Sequence, residues 1–288
     1  MQEASDNAVW VGTANWTDHQ DFYPPGLPAG ERLSYYARFF PFVEVNASFY
    51  RPFGHAQYAR WAERTPPDFR MAVKAYRGLS LHLKDEPPSE AMVNAHLEAT
   101  TPLVEAGKFA AFVVQFPPWI RKTEKMSAYL RELRGWFGDA TVAMEFRHAS
   151  WFSDGAESDT LAFLRELRVA NVILDEPDPA RTGLIPTVRE ITAPDLVYYR
   201  FQGRDELTGT VTNKERHEAR EQHVYSPPEI TELAELITRL HASGHASSFV
   251  VIHNNYSNHA VKAGMEMMLV LREKGVRVRL GQERLAGT

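Results

Sequence analysis

An acid, a base, an imidazole and an aromatic ring stand within eight residues in the segment "MEFRHASW" (144–151), directly after a short apolar run. Polar residues also end most of the other apolar runs of the chain. Carboxylates in different environments can serve as an acid and a base, and a histidine can carry protons near neutral pH. The pattern predicts an acid–base site, whose candidate catalytic residues are Glu44, Glu145, His148 and Asp175.

A second set of residues is suited to hold a ligand. Lysine and arginine bind carboxylates and phosphates, and aromatic rings stack on planar ligands. The segment "HNNYSNHAVKAG" (253–264) leads into a predicted helix capped by Ser257 or Asn258, and the free N–H groups of a helix start favour anions. The candidate binding residues are Asn46, Tyr50, Lys74, Gln115, Arg147, Trp151, Arg200, Asn254 and Asn255.

Eight short apolar runs, rich in Val, Phe, Tyr and Ile, predict the β-strands that must position these residues. Helix-length amphipathic segments separate the runs, except after the sixth, where Pro177, Pro179 and Pro186 predict a short or irregular helix. The predicted strands cover 9–15, 42–46, 70–75, 109–116, 141–146, 171–176, 196–201 and 249–255.

This alternation predicts parallel strands joined by right-handed crossovers. The glycine-rich turn of a dinucleotide-binding sheet is missing after the first run, which continues as "GTANWTD". Eight units in 288 residues therefore predict an α/β fold, a (β/α)8 TIM-type barrel, as a single domain over residues 8–284 with a polar tail at 1–7. Active sites of such barrels lie at the carboxyl ends of the strands, where the candidate residues fall.

A purely structural interpretation of these residues stays open. Glu44 could pair with Lys74 and Asp175 with Arg200, closing the barrel mouth with ion pairs. A polar group on seven consecutive strands nevertheless favours a site, because structural pairing rarely needs every strand. Loop aromatics more often pack their own loop than bind a ligand, and we expect this of Trp16, Phe22 and Trp119.

The longest predicted loop covers residues 203–226, after the seventh strand, and is dense in both charges. Loops of this length inside a compact domain are usually functional or disordered. Because the loop lies on the predicted active face, it is either a mobile lid or a solvated insertion.

Composition excludes several classes of protein. The net charge of -5 at pH 7 argues against broad binding to nucleic acid or anionic membranes. The absence of cysteine excludes disulfides, thiolate catalysis and cysteine-bound metal, and it fits a reducing compartment. The segment "MQEASDN" has no apolar signal core, and no run is long enough to span a bilayer. We expect a cytoplasmic protein without a membrane partner; the sequence leaves the oligomeric state open.

Several motifs, in order, make the chain similar to the YecE-like family, also called domain-of-unknown-function family 72. They include "VGTANW" (11–16), "FYPPGL" (22–27), "VVQFPP" (113–118), "MEFRHASW" (144–151) and "YYRFQG" (198–203). Segments 35–52 and 61–75 and the asparagines at 254–255 also match. The resemblance covers nearly the whole chain and implies a TIM-type barrel, but no particular reaction.

The chain departs from that family at two positions. The family usually has Arg-Leu-His-Gly where this chain has Arg-Phe-Gln-Gly at 200–203, and an aromatic residue where this chain has His253. If the family's histidine is an acid–base group, Gln202 cannot replace it. Alternation along the last strand predicts that His253 points to the helix layer, in a structural role.

The main hypothesis is an enzyme of hydrolase, lyase or isomerase type that acts on a small polar or anionic substrate, bearing a carboxylate or phosphate, without an obligatory cofactor. A metal-dependent alternative uses Mg²⁺ or Mn²⁺ bound by Glu44, Glu145, Asp175 and His148, although the basic residues nearby oppose a cation. A third possibility is a nucleotide or single-stranded nucleic-acid binding protein, from the interleaved basic and aromatic residues. Paired carboxylates also keep a sugar hydrolase open as a minor option.

Overall fold

Eight parallel β-strands close into a barrel in chain order, which confirms the predicted TIM-type fold of a single domain. The computed structural model describes residues 7–153, 155–175, 188–204, 219, 221–244 and 247–283. The strands are β1 (Ala8–Ala14), β2 (Phe42–Val45), β3 (Arg70–Lys74), β4 (Phe109–Gln115), β5 (Val142–Glu145), β6 (Ala170–Asp175), β7 (Leu196–Phe201) and β8 (Ser247–Ile252).

Helices follow most strands in the described part of the chain. They are α1 (Arg32–Tyr36), α2 (His55–Glu63), α3 (Glu90–Glu105), α4 (Glu124–Trp136), α5 (Ala156–Glu166), α6 (Pro227–His241) and α7 (His259–Glu273). The start of α6 follows the sequence, with Pro227 in the first turn and the Ser226 N–H donating to Glu229 at 2.8 Å. None of the described helices is both long and apolar enough to cross a membrane.

Helix α1 and strand β8 end at least three residues before their predicted limits. Helix α1 ends at Tyr36, after which the N–H groups of Arg38 and Phe39 bond three residues back, to the carbonyls of Tyr35 and Tyr36, and Pro41 cannot extend a helix. Strand β8 ends at Ile252, and the next N–H, of His253, donates to the Phe201 carbonyl at 2.7 Å as the last link to β7. Residues 253–255 therefore belong to a loop, where strand alternation no longer sets side-chain direction.

Two predicted features fall largely outside the described residues. The segment after β6 that carries the three prolines is one, and most of the 203–226 loop is the other. The predicted domain boundaries, 8–284, stay a prediction, although the first strand does begin at Ala8.

An aromatic layer fills the barrel near the amino ends of the strands. The ring of Phe249 stacks on Trp10 at 5.1 Å and lies 4.8 Å from Phe42, which meets the ring of Tyr198 at 6.4 Å. Such a layer excludes water from the barrel interior. Polar side chains nearer the carboxyl ends therefore lie in surroundings that are apolar on one side and open towards the mouth on the other.

Candidate active site

Arg200 lies at the centre of the barrel mouth with a carboxylate on either side. Its Nη2 is 3.1 Å from Oε1 of Glu44 on β2, and its Nη1 donates to Oε2 of Glu145 on β5. All three side chains are fully buried. Buried charges persist when they are paired and hydrogen-bonded. This Arg200 triad, formed by Glu44, Glu145 and Arg200, is the electrostatic core of the site.

Tyr198, Gln115 and His253 add hydrogen bonds to the triad, while Glu44 Oε1 and Arg200 Nε have no hydrogen-bond partner among the described residues. The Tyr198 hydroxyl donates to Glu44 Oε2 at 2.8 Å, and Arg200 donates to Gln115 Oε1 at 3.3 Å and to His253 Nδ1 at 3.0 Å. A guanidinium can only donate. The bound Nδ1 of His253 therefore accepts from Arg200.

His253 corrects the sequence analysis, which placed it towards the helix layer. The strand ends one residue earlier, so the side chain of His253 turns into the mouth and binds Arg200. Neither His253 nor Tyr198 was among the predicted site residues. Tyr198 carried a usable signal, since it stands two positions before Arg200 and so shares its face of β7.

Two further cations border the triad. Arg147 bonds to Glu145 Oε1 and is 11% exposed. Lys74 is buried, with its Nζ 4.6 Å from the centroid of the Phe49 ring. No residue in the described part of the chain accepts a hydrogen bond from this Nζ. Lys74 is thus a buried cation of the mouth that forms no ion pair with a described residue.

Charge and burial act in opposite directions on these groups. Burial alone would raise the pKa of Glu145, but Arg147, Arg200 and Lys74 outweigh it and lower that pKa to about 2. For Lys74, burial and the neighbouring charge of Arg200 lower the pKa to about 7, against the opposite pull of the two carboxylates. Near neutral pH Glu145 is therefore always charged, whereas Lys74 exchanges its proton.

The asparagines predicted to bind a ligand lie around the mouth but are partly engaged. Asn254 Nδ2 donates to the His223 carbonyl at 2.7 Å, and Asn255 Nδ2 donates to the Ala14 carbonyl at 2.9 Å. The Oδ1 atoms of both residues, and of Asn46, are buried and have no hydrogen-bond partner among the described residues. Such unsatisfied acceptors call for a partner, and a ligand with N–H or O–H groups would supply one.

Asp175 belongs to a separate cluster. Nε of Arg204 donates to both of its oxygens, at 2.9 and 2.8 Å, and the Tyr225 hydroxyl donates at 3.0 Å. Arg204 continues to Glu232 at 2.8 Å. The structural interpretation of the sequence thus named the wrong partners: Asp175 pairs with Arg204 instead of Arg200, and Glu44 pairs with Arg200 instead of Lys74.

The remaining predicted loop residues take three different positions. His148 turns back on its own loop, where its Nδ1 accepts from the Ser150 N–H at 3.0 Å. Burial, with the charge of Arg121, lowers its pKa. Trp151 is fully buried and donates to the Ile120 carbonyl at 2.9 Å, so it is a core residue and not a mouth residue. Tyr50 is 67% exposed at the rim.

The expectation that loop aromatics pack their own loops is confirmed for two residues and wrong for one. Trp16 is buried against Trp61 at 5.1 Å, and Phe22 contacts several rings of the α1 region. Trp119, by contrast, is 57% exposed. Its position after Pro117 and Pro118 removes backbone donors that would tie the loop down.

The four residues considered as metal ligands do not form a ligand set. Glu44 and Glu145 face Arg200, Asp175 faces Arg204, and the Nδ1 of His148 is bound by Ser150. Within the described ranges there is no group of three or more His, Asp or Glu side chains that could hold a metal ion.

Comparison with known proteins agrees with the motifs. The profile of the family described as "Protein of unknown function DUF72" matches residues 10–285. The chain is 31% identical to UPF0759 protein YunF of Bacillus subtilis (strain 168), over 91% of this chain and 94% of YunF. It is 29% identical to UPF0759 protein YecE of Escherichia coli (strain K12), over 58% of this chain and 59% of YecE. A crystal structure of a DUF72 family protein from Enterococcus faecalis V583 superposes with a TM-score of 0.84 at 28% identity, covering 96% of this chain and 98% of that one.

Proposed function

This chain belongs to the DUF72 family, and we propose from its own side chains that it is an enzyme that uses acid–base chemistry. The proposed substrate is a small anion, which binds at the mouth of the barrel formed by the carboxyl ends of the strands. The substrate carries a carboxylate or a phosphate. The absence of cysteine fits an enzyme of a reducing compartment such as the cytoplasm. The proposed reaction uses no cofactor.

The observation that carries this proposal is the state of Lys74. Its ammonium is buried near four charged groups, Glu44, Glu145, Arg147 and Arg200, but is not hydrogen-bonded to any of the described residues. An ordinary structural lysine would donate to Glu44 or Glu145. Here Arg200 forms the ion pairs with both carboxylates, and Lys74 donates to neither, although Glu44 Oε1 has no hydrogen-bond partner among the described residues. A buried, unengaged lysine whose pKa lies near 7 is well suited to exchange a proton with a substrate at neutral pH.

The other members of the site take supporting roles. Arg147, at the edge of the mouth, binds the anionic group of the substrate, because part of its guanidinium remains exposed. The Arg200 triad supplies a fixed charge pattern beneath the substrate. Glu145, which the sequence analysis named as an acid or base, keeps its charge near neutral pH, so the proton-transfer role passes from Glu145 to Lys74.

Binding of simple anions tests the proposal. Sulfate and acetate do not titrate above about pH 6, so any pH dependence of their affinity comes from the protein. Because Lys74 loses its charge as the pH rises through about 7, we expect the affinity measured by calorimetry to fall about tenfold between about pH 6 and about pH 8.5. The substitution Lys74→Met should remove this dependence and bind as weakly at low pH as the wild type does at high pH.

Lys125→Met is the matched control, because Lys125 is exposed on α4 and forms no ion pair with the described residues. It should behave as the wild type. The second measurement is a pH titration of the lysine Cε resonances by NMR. The resonance that is missing in Lys74→Met belongs to Lys74, and its titration midpoint should lie near pH 7. A midpoint near 10, or unchanged anion binding by Lys74→Met, would remove the proton-transfer role from this site.

A further inference from the structure

A groove lies beside the mouth, between the loop that joins β3 to α3 and the loop that joins β4 to α4. It has a cavity volume of about 510 Å³, within the range of small-molecule sites. It contains none of the residues of the Arg200 triad. We call it the β3–β4 groove, and its lining residues are His82, Leu83, Lys84, Asp85, Glu86 and Trp119.

A strip of aromatic rings connects the groove to Lys74. The ring of Phe49, which covers Lys74 Nζ, lies 4.9 Å from His82, and His82 lies 5.9 Å from Trp119. At the other side of Phe49, 5.1 Å away, stands the ring of Tyr50. The rings of Phe49 and His82 therefore form a continuous series of contacts from Lys74 to Trp119.

Trp119 presents most of its indole to solvent. It is 57% exposed, and its contact with His82 is its one ring contact within the described residues. Large apolar side chains are usually covered in a folded protein, and exposed ones at the edge of a cavity mark binding surfaces. The indole offers a flat apolar face of the kind that stacks on a ring.

The walls of the groove carry carboxylate oxygens and one ammonium group that form no hydrogen bond or ion pair with the described residues. Glu86 accepts from the Tyr76 hydroxyl through Oε2 at 2.8 Å, while its Oε1 accepts no hydrogen bond from the described chain. Asp85 and Lys84 are exposed, and neither forms an ion pair with a described residue. These groups can accept from and donate to hydroxyls of a ligand.

A strained turn holds the groove in shape. Leu81 has a φ of 63°, the left-handed region that bulky residues rarely adopt. The turn is held by the His82 N–H, which donates to the Arg77 carbonyl at 3.1 Å, and by a hydrogen bond of 2.9 Å between Ser80 Oγ and His82 Nδ1. The imidazole is thereby fixed between Phe49 and Trp119, so the aromatic strip is preformed.

From this arrangement we propose that the β3–β4 groove binds a sugar ring, which stacks on Trp119 and donates hydroxyl hydrogen bonds to Asp85 and Glu86. The two carboxylates favour a polyhydroxylated ring over a nucleotide, because they would repel phosphates placed beside a stacked base. The inference rests on the proposed function in one respect: the sugar is the ring-bearing part of the anionic substrate, whose charged group reaches Lys74 along the aromatic strip.

Saturation-transfer NMR and calorimetry with defined probes test it. The panel contains the common hexoses and pentoses, their uronic acids and their phosphate esters, with adenosine monophosphate as the nucleotide probe. We expect at least one sugar to bind, and Trp119→Ala and Glu86→Gln each to weaken it about tenfold. Trp119→Phe, which keeps an aromatic face, should retain most of the affinity. Tyr256→Ala, which removes another exposed aromatic residue of the mouth loops, is the matched control and should have no effect.

The variants separate the two proposals. If binding of a neutral sugar is lost in Trp119→Ala but retained in Lys74→Met, the result supports the β3–β4 groove as a sugar site, even if the proton-transfer role of Lys74 fails. Sulfate binding that depends on Lys74 while no sugar of the panel binds overturns the groove and leaves the proposed function intact. Binding of adenosine monophosphate alone, with dependence on Trp119, would replace the sugar by a nucleotide. Circular dichroism of each variant confirms that it is folded.

Discussion

At the scale of single residues, the site divides its charged groups into fixed charges and one proton carrier. Glu145 and Arg200 hold their charges because each is the other's partner in a dry environment. Lys74 has equally little solvent but no such partner, and its pKa falls to about 7. The difference between a structural ion and a titrating one is therefore set by partners and not by residue type.

The substitution Glu145→Gln tests how much the Arg200 triad contributes to the free energy of unfolding. It removes the carboxylate that bonds to both Arg200 and Arg147. Breaking a buried ion pair costs about 3–5 kcal/mol of unfolding free energy, and we expect the lower end of that range, because Glu44 still faces Arg200. Glu283→Gln is the matched control, because Glu283 forms an exposed pair with Arg38 at 2.6 Å, and such pairs contribute less than about 1 kcal/mol. Urea unfolding of both variants gives the comparison. Equal losses would mean that the triad is not the electrostatic core.

At the scale of elements, the positions of the charged side chains depend on how closely β1 and β2 approach each other. Gly12 on β1 lies opposite Phe42, and a Cβ at Gly12 would stand 2.0 Å from the Phe42 carbonyl oxygen. The contact is with backbone, which cannot rotate away as a side chain can. Glu44 is two residues after Phe42, so this close approach also sets where Glu44 meets Arg200.

Gly12→Ala is therefore expected to destabilise the protein by about 3 kcal/mol or more, since the strands must separate. Gly135→Ala provides the contrast, because Gly135 is exposed within α4 and nothing lies within 4 Å of its Cβ position. That change should be neutral or stabilise the protein by up to about 1 kcal/mol, through helix propensity. Thermal unfolding monitored by circular dichroism measures both. A tolerated alanine at position 12 would show that the two strands can move apart at little cost.

At the scale of the whole molecule, the two ends of the barrel have different tasks. The mouth at the carboxyl ends of the strands carries the charged site. At the opposite end a strap formed by residues 277–283 closes the barrel: Val9 exchanges backbone hydrogen bonds of 2.9 Å with Arg277 and Arg279, and Glu283 pairs with Arg38. In barrels of this type the amino-end face serves stability and not chemistry.

Deletion of residues 277–288 is accordingly expected to lower stability without changing the site. Three backbone hydrogen bonds of about 1 kcal/mol each, an exposed ion pair of smaller value and the core contacts of Val278 and Leu280 predict a loss on the order of 3 kcal/mol or more. Sulfate affinity of the folded protein should remain within about twofold of the full chain. A large loss of affinity with unchanged stability would connect the strap to the mouth, contrary to this division of tasks.

The sequence by itself determined the barrel and the end at which its polar residues collect. Strand periodicity, helix caps and the spacing of the eight units depend on near neighbours in the chain, so they are visible in the order of residues. The same local information set Glu44, Glu145 and Arg200 on the inner face of their strands.

Only the tertiary structure decided which groups pair and which titrates. Arg200 contacts Glu44 and Glu145, which are more than fifty residues away along the chain, and Arg204 forms an ion pair with Asp175. Barrel closure places these groups, and a pKa depends on the solvent and charges that closure leaves around each one. Because β8 ends at Ile252, the side chain of His253 lies in the mouth. Trp151 packs in the core and is therefore not part of the mouth. These outcomes depend on distances across the barrel, which no local pattern of residues contains.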